Sequence, residues 1–227
     1  MPPPPVFTPD VFIDFHTHKA RYEHRADVLE IISSHLGDGK TGDLYTLGSH
    51  PWLTPDLLPE KQLQVIEDAL LHDPHCIALG ECGLDKFKGP DLKVQISILE
   101  QLLDIADRLG KSVVIHCVRA YDPLLKVKQN FSNIRHWAIH GYARHDVLAK
   151  SLVDQGFYLS ISPESSAHAG LLAAVRSLPL DRLFLETDSA PGQDIIAVYN
   201  FAAELRGMDI AGLKARMAEN CKTFFQK

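Results

Sequence analysis

From Val11 onward the chain alternates short apolar runs rich in β-formers with longer amphipathic segments. Apolar runs predict strands over 12–16, 44–49, 76–80, 112–115, 136–139, 158–161 and 182–186. The stretch 28–33, Val-Leu-Glu-Ile-Ile-Ser, fits a strand better than a helical turn and makes the eighth. Between and after them, apolar spacings near 3.6 predict helices over 59–72, 92–109, 123–128, 146–155, 171–178, 195–205 and 210–224. The clearest is 92–109, with Ile96, Leu99, Leu102, Leu103, Ile105 and Ala106 on one face and Gly110 as its stop. The segment 37–43 is Gly- and Asp-rich turn chemistry.

Strands alternating with helices imply right-handed βαβ units and a parallel sheet. Eight strands in 227 residues point to an α/β single-domain (β/α)8 TIM barrel, somewhat below the roughly 250 residues typical of that fold. If 28–33 were not a strand, a seven-stranded or open doubly wound sheet would be the alternative. The barrel is expected over 11–227, preceded by a Pro-rich leader over 1–10 whose first five residues read as extended polyproline with little bearing on the fold.

Composition narrows the class only a little. Hydrophobic residues at 45% and charged residues at 23% are those of a globular protein with a substantial core. No apolar run approaches the roughly 20 residues of a membrane span, and the leader lacks the features of a secretory signal. Cys76, Cys82, Cys117 and Cys221 show no metal-binding or disulfide spacing, which suits reduced thiols in the cytoplasm. Cys82 and Cys117 adjoin polar strand ends but should point away from them, into the core. A net charge of −6 argues against polyanion binding over the whole surface, although not in a local groove.

Twelve histidines are the one oddity, and their placement matters more than their number. His16 and His18 stand two apart at the end of the first strand, so both imidazoles face one side. Later strands run into His50, Glu81, His116, His140 and Asp188. In a barrel these ends converge on the face where chemistry occurs. Burying so many ionisable groups without compensation costs several kcal/mol each by order of magnitude, and a metal centre supplies the compensation. His24, His35, His72, His75, His136, His145 and His168 fall in loops, helices or at a strand start and read as solvated or capping residues. Imidazole and carboxylate donors suit zinc, manganese or magnesium. Their number exceeds the needs of one tetrahedral ion, so two divalent ions (Mg2+, Mn2+ or Zn2+) are expected. His16, His18 and Asp188 would hold the first, His116 and His140 the second, with Glu81 bridging.

The order Asp14-Phe15-His16-Thr17-His18, Gly48-Ser49-His50-Pro51, Gly80-Glu81-Cys82-Gly83-Leu84-Asp85, Ile115-His116, His140 and Leu185-Glu186-Thr187-Asp188 resembles the TatD family of metal-dependent deoxyribonucleases, amidohydrolase-like barrels. The resemblance covers most of the chain. It implies a TIM barrel, divalent metal at the matching positions and phosphodiester hydrolysis on DNA, of the 3′–5′ exonuclease type. Three loops depart from the family pattern, one of them the short loop between strands two and three. Ser189-Ala190-Pro191-Gly192-Gln193-Asp194 replaces a longer Arg-rich segment, and the arginine after His116 comes one residue late, at Arg119.

In this reading Asp188 serves as general base as well as ligand and Glu81 shares the catalytic role, while His50 and Arg119 contact phosphate. Lys86 and Arg144 could add positive charge, and Trp52 and Phe87 either stack on a base or cover the rim. DNA is the expected substrate, with no membrane and no obligate protein partner. A second reading keeps the metal centre but acts on a small ester, amide or phosphoester. A third is a non-catalytic metal or nucleic-acid binding module.

Overall fold

A computed structural model describes residues 6–22, 25–38, 44–53, 56–163, 167–190 and 192–225. The first five residues of the leader, His24, Pro191 and the predicted turn from residue 39 to 43 lie outside that set. Eight strands are present: β1 (Phe12–Thr17), β2 (Val28–His35), β3 (Leu44–Gly48), β4 (Cys76–Asp85), β5 (Val113–Val118), β6 (Trp137–Ile139), β7 (Phe157–Ile161) and β8 (Leu183–Leu185). Seven helices accompany them: α1 (Glu60–His72), α2 (Leu92–Leu109), α3 (Tyr121–Lys128), α4 (Asp146–Asp154), α5 (Ala169–Ser177), α6 (Ile195–Arg206) and α7 (Ile210–Phe225). The strands form one sheet in chain order, β1 to β8, with parallel pairings. A bridge pairs Thr17, the last residue of β1, with Asp188, beyond the end of β8. This topology is the expected (β/α)8 class. No described helix separates β1 from β2 or β2 from β3.

The segment 28–33 is a strand, as expected, and β2 runs on to His35. Two elements differ instructively from expectation. β4 does not stop at Gly80 but continues to Asp85. The continuation depends on Gly83, at φ 152°, where an added Cβ would collide with the His116 carbonyl of β5. α3 begins two residues before the predicted start, because proline at position 123 falls in the first turn, where its missing N–H costs nothing. Other boundaries agree within about two residues, the usual uncertainty of helix and strand ends. Gly110 ends α2 in the left-handed conformation, its N–H bonded to the Ala106 and Asp107 carbonyls.

The chain packs as two compact units. One comprises residues 33–139. In it α1 and α2 lie on β4, and α3 lies on β5. Ile66 and Leu70 of α1, with Leu99, Leu102 and Leu103 of α2, are buried together with Ala78, Leu79 and the Val113–Val114–Ile115 run. The apolar face predicted for α2 is largely that core, although Ile96 is only half-buried.

The other unit comprises the described residues of 6–32 and 140–225. Its centre is aromatic. Phe15 of β1 stacks on Phe184 of β8 with ring centroids 3.9 Å apart, and Phe224 of α7 meets both rings edge-on. The Tyr199 hydroxyl of α6 receives the Ile13 N–H and donates to the Ile13 carbonyl, each at 3.1 Å. Phe7 is buried and stacks on Phe225. Among the described residues no helix is long and apolar enough to cross a membrane.

Candidate metal centre

Within residues 33–139, β3, β4 and β5 bring three buried polar side chains together. Glu81 Oε1 lies 3.0 Å from His50 Nε2 and 3.0 Å from His116 Nδ1. The Glu81 side chain is only 1% exposed, and Ser33 offers its hydroxyl to Oε2 at 3.5 Å. Tight backbone packing makes this convergence possible. A Cβ on Gly48 would come within 2.5 Å of the Glu81 carbonyl, so only glycine lets β3 approach β4 so closely, and His50 follows two residues later.

Asp85, four residues along β4 from Glu81, supports the same cluster. Its Oδ2 accepts the Trp52 indole N–H at 2.7 Å and lies 3.3 Å from His116 Nε2. Its Oδ1 accepts the amides of Phe87 and Lys88 at 2.8 and 3.1 Å. Burial works to raise its pKa, but the Phe87 amide, the Trp52 indole and His116 outweigh it and hold the carboxyl below its ordinary value. The Trp52 ring also meets His50 and His116 edge-on, and the Lys88 ammonium sits over it at 4.0 Å. Trp52, itself 43% exposed, is thereby engaged as a wall of the cluster, while Phe87 is 72% exposed.

A second cluster lies in the other unit. The imidazoles of His16 and His140 stack with centroids 3.9 Å apart, and His18 stands edge-on to His16 at 5.1 Å. His18 Nε2 is 3.3 Å from Asp188 Oδ1. Asp188 adopts φ 51°, unusual for a non-glycine residue. Its backbone is held in place: its N–H donates to the His16 carbonyl, while its own carbonyl accepts from the Thr17 hydroxyl and the Arg21 guanidinium.

Two further carboxyls support this second cluster. Glu186, fully buried, accepts the Gly141 N–H at 2.6 Å; burial pushes its pKa up to about 8, against the pull of nearby His140. Asp14 accepts both the amide and the hydroxyl of Thr187, at 2.9 and 2.6 Å, and burial raises it to about 7.

Ligand-type atoms of His50, Glu81 and His116 lie within 4.8 Å of one another, as do those of His16, His140 and Asp188. Each set combines imidazole nitrogens with a carboxylate, and five of the six side chains are buried. Such a donor set fits zinc, manganese or magnesium and would compensate the buried carboxylates. His140 sits with His16 and Asp188, and His50 stands with Glu81 and His116.

Arg119 follows β5, exposed and with φ 56°. Lys86 is exposed and Arg144 half-buried. Of the histidines expected to be solvated or capping, His145 and His168 are helix caps, accepting the Leu148 and Leu171 amides. His35 instead ends β2 with its ring 5.8 Å from His50. Cys82 and Cys117 are buried free thiols, as expected. Burial raises both, Cys117 up to about 12.

Sequence expectation missed Asp85, Glu186 and Asp14 as members of these clusters. The signal was strand alternation: Asp14, His16 and His18, or Glu81 and Asp85, fall on one face by their even spacing.

A parallel eight-stranded α/β sheet carrying histidine–carboxylate clusters in and just after the C-terminal parts of its strands defines the class of the metal-dependent barrels. The family model for TatD related DNase matches residues 19–226, and the chain belongs to that family. His16 and His18 lie just ahead of the matched region. A Buchnera aphidicola protein, named as an uncharacterized metal-dependent hydrolase, is 28% identical over 181 residues, 73% of this chain and 66% of that protein. A Methanocaldococcus jannaschii protein of the same designation is 25% identical over an alignment of 249 positions, gaps included, which covers 95% of this chain and 97% of its own. The chain therefore spans just under two thirds of the Buchnera relative's length but nearly all of the archaeal one. The structure of YjjV, a TatD homolog from Escherichia coli, matches with a TM-score of 0.77 at 20% identity, over 97% of this chain and 100% of that one. At that identity the likeness establishes the fold.

Proposed function

We propose that this chain is a divalent-metal-dependent hydrolase of phosphodiester bonds, acting on DNA as a 3′–5′ exonuclease. The observation that carries the reading is the pair of histidine–carboxylate clusters around Glu81 and around His16, in a member of the TatD related DNase family. His16, His140 and Asp188, with His18 beside Asp188, would hold one ion; Glu81 and His116 would hold a second. When bound, such ions lower the pKa of water and stabilise charge on phosphate oxygens. Asp188 takes the proton of the attacking water, since its backbone is fixed while its half-exposed carboxylate remains reachable. Glu81 holds His50 and His116 at fixed distance, and His50 and Arg119 orient the phosphate. Four buried free thiols support a reducing, cytoplasmic setting.

The net charge of −6 favours a second reading, hydrolysis of a small ester, amide or phosphoester at the same clusters. The test assays end-labelled single-stranded DNA and small esters with Mg2+, Mn2+ and Zn2+. Metal-dependent shortening of the DNA from its 3′ end, abolished in His16→Ala and Glu81→Ala, is the expected result. Turnover of small esters alone would favour the second reading, and unchanged DNA cleavage in both variants would overturn the site.

A further inference from the structure

His116 stands between two carboxylates, with Nδ1 3.0 Å from Glu81 Oε1 and Nε2 3.3 Å from Asp85 Oδ2. A neutral imidazole carries one N–H and one lone pair. If a cation draws on the lone pair at the Glu81 side, the proton must stay on the Asp85 side. Asp85 is prepared to receive it. Two amides fix its Oδ1, the Trp52 indole fixes its Oδ2, and Gln95 clamps its backbone, accepting the Asp85 N–H at 2.7 Å and donating to its carbonyl at 2.9 Å.

His50 is arranged the opposite way. The Trp52 amide donates to His50 Nδ1 at 3.2 Å, so that nitrogen is the acceptor and the proton resides on Nε2, facing Glu81 Oε1. His50 therefore presents an N–H to the cluster, although its distances alone would allow it to be a ligand.

We propose that Asp85, set by Trp52, is the positioning residue that gives the two histidines different duties. His116 keeps its proton on Asp85 and turns the Nδ1 lone pair toward a cation. His50, fixed by the Trp52 amide, donates Nε2–H to a carboxylate or phosphate oxygen. The proposal rests on the metal-centre reading above; in the chelated protein the same assignment has the fixed Asp85 carboxylate win the His116 proton from Glu81 Oε1, which already accepts His50 Nε2–H.

The experiment records 15N histidine spectra of chelator-treated protein at about pH 8.5, well above the ordinary histidine pKa of about 6.5. Mn2+ titrations of the same samples accompany them. Wild type should carry its proton on Nε2 in both His116 and His50. In Asp85→Asn the Phe87 and Lys88 amides retain the side-chain oxygen, which turns the NH2 toward His116. The His116 proton should then move to Nδ1 and Mn2+ affinity fall about 10–100-fold. Trp52→Phe removes the indole N–H but keeps the backbone amide, so His50 should keep its tautomer while Mn2+ binding weakens by a smaller factor. A wild-type His116 proton on Nδ1 overturns the proposal, and this readout stands even if Asp85→Asn fails to fold. Unchanged tautomers and unchanged Mn2+ affinity in a folded Asp85→Asn overturn it as well. Wild-type protein that binds no Mn2+ yet shows the tautomer switch in Asp85→Asn would sink the metal reading while supporting the assignment to Asp85.

Discussion

His16 and His140, far apart in the sequence, stack their imidazoles 3.9 Å apart beside Asp188. Two buried histidines in parallel contact contribute little by themselves; their value is that both can face one cation. Anything that binds the folded protein but not the unfolded chain stabilises it by mass action. Mn2+ or Zn2+ at about 100 times its Kd should add about 2.7 kcal/mol, raising Tm by roughly 5–10 °C for a chain of this size. Differential scanning fluorimetry with and without EDTA checks this, and His140→Ala should lose most of the shift.

Gly83 should tolerate no side chain. A Cβ there meets the His116 carbonyl, and φ 152° disfavours any other residue. Gly83→Ala should destabilise by roughly 1–3 kcal/mol, read as a lower urea midpoint. Because the strain falls on His116, metal affinity should drop with it.

Tyr199→Phe removes one oxygen and leaves the buried Ile13 N–H and carbonyl without their bridge. The expected cost is about 1–3 kcal/mol of stability, again from urea unfolding. The site should otherwise keep its metal affinity when assayed well below the transition.

The four thiols should be inert in the folded state. All are buried, and burial raises Cys82, Cys117 and Cys221, which leaves little thiolate at neutral pH. Native protein treated with iodoacetamide should show no mass shift until denatured. Rapid labelling of the native protein at Cys82 or Cys117 would contradict their placement.

Much of this architecture was legible in the sequence, for definite reasons. Apolar runs ending in His16, His116 and His140 mark strands whose ends need compensation for buried polar groups, and the long period-3.6 face of α2 has few other readings. What was hidden was pairing in space. Nothing in the sequence says that His140 stacks on His16, or that Trp52 reaches Asp85, because those relations depend on strand register and on the close approaches that Gly48 and Gly83 allow. β4 was read too short for the same reason: Gly80 and Gly83 look like strand breakers until the neighbouring backbone shows why a Cβ is excluded.

The central claim is tested most directly by measuring bound metal and DNA hydrolysis on the same preparation. Purified protein should contain divalent metal by elemental analysis and degrade single-stranded DNA. Chelation should remove both properties, and Mn2+ or Mg2+ should restore both. Protein that degrades DNA equally well after complete removal of metal, or that binds metal stoichiometrically and hydrolyses no phosphodiester, would contradict the account.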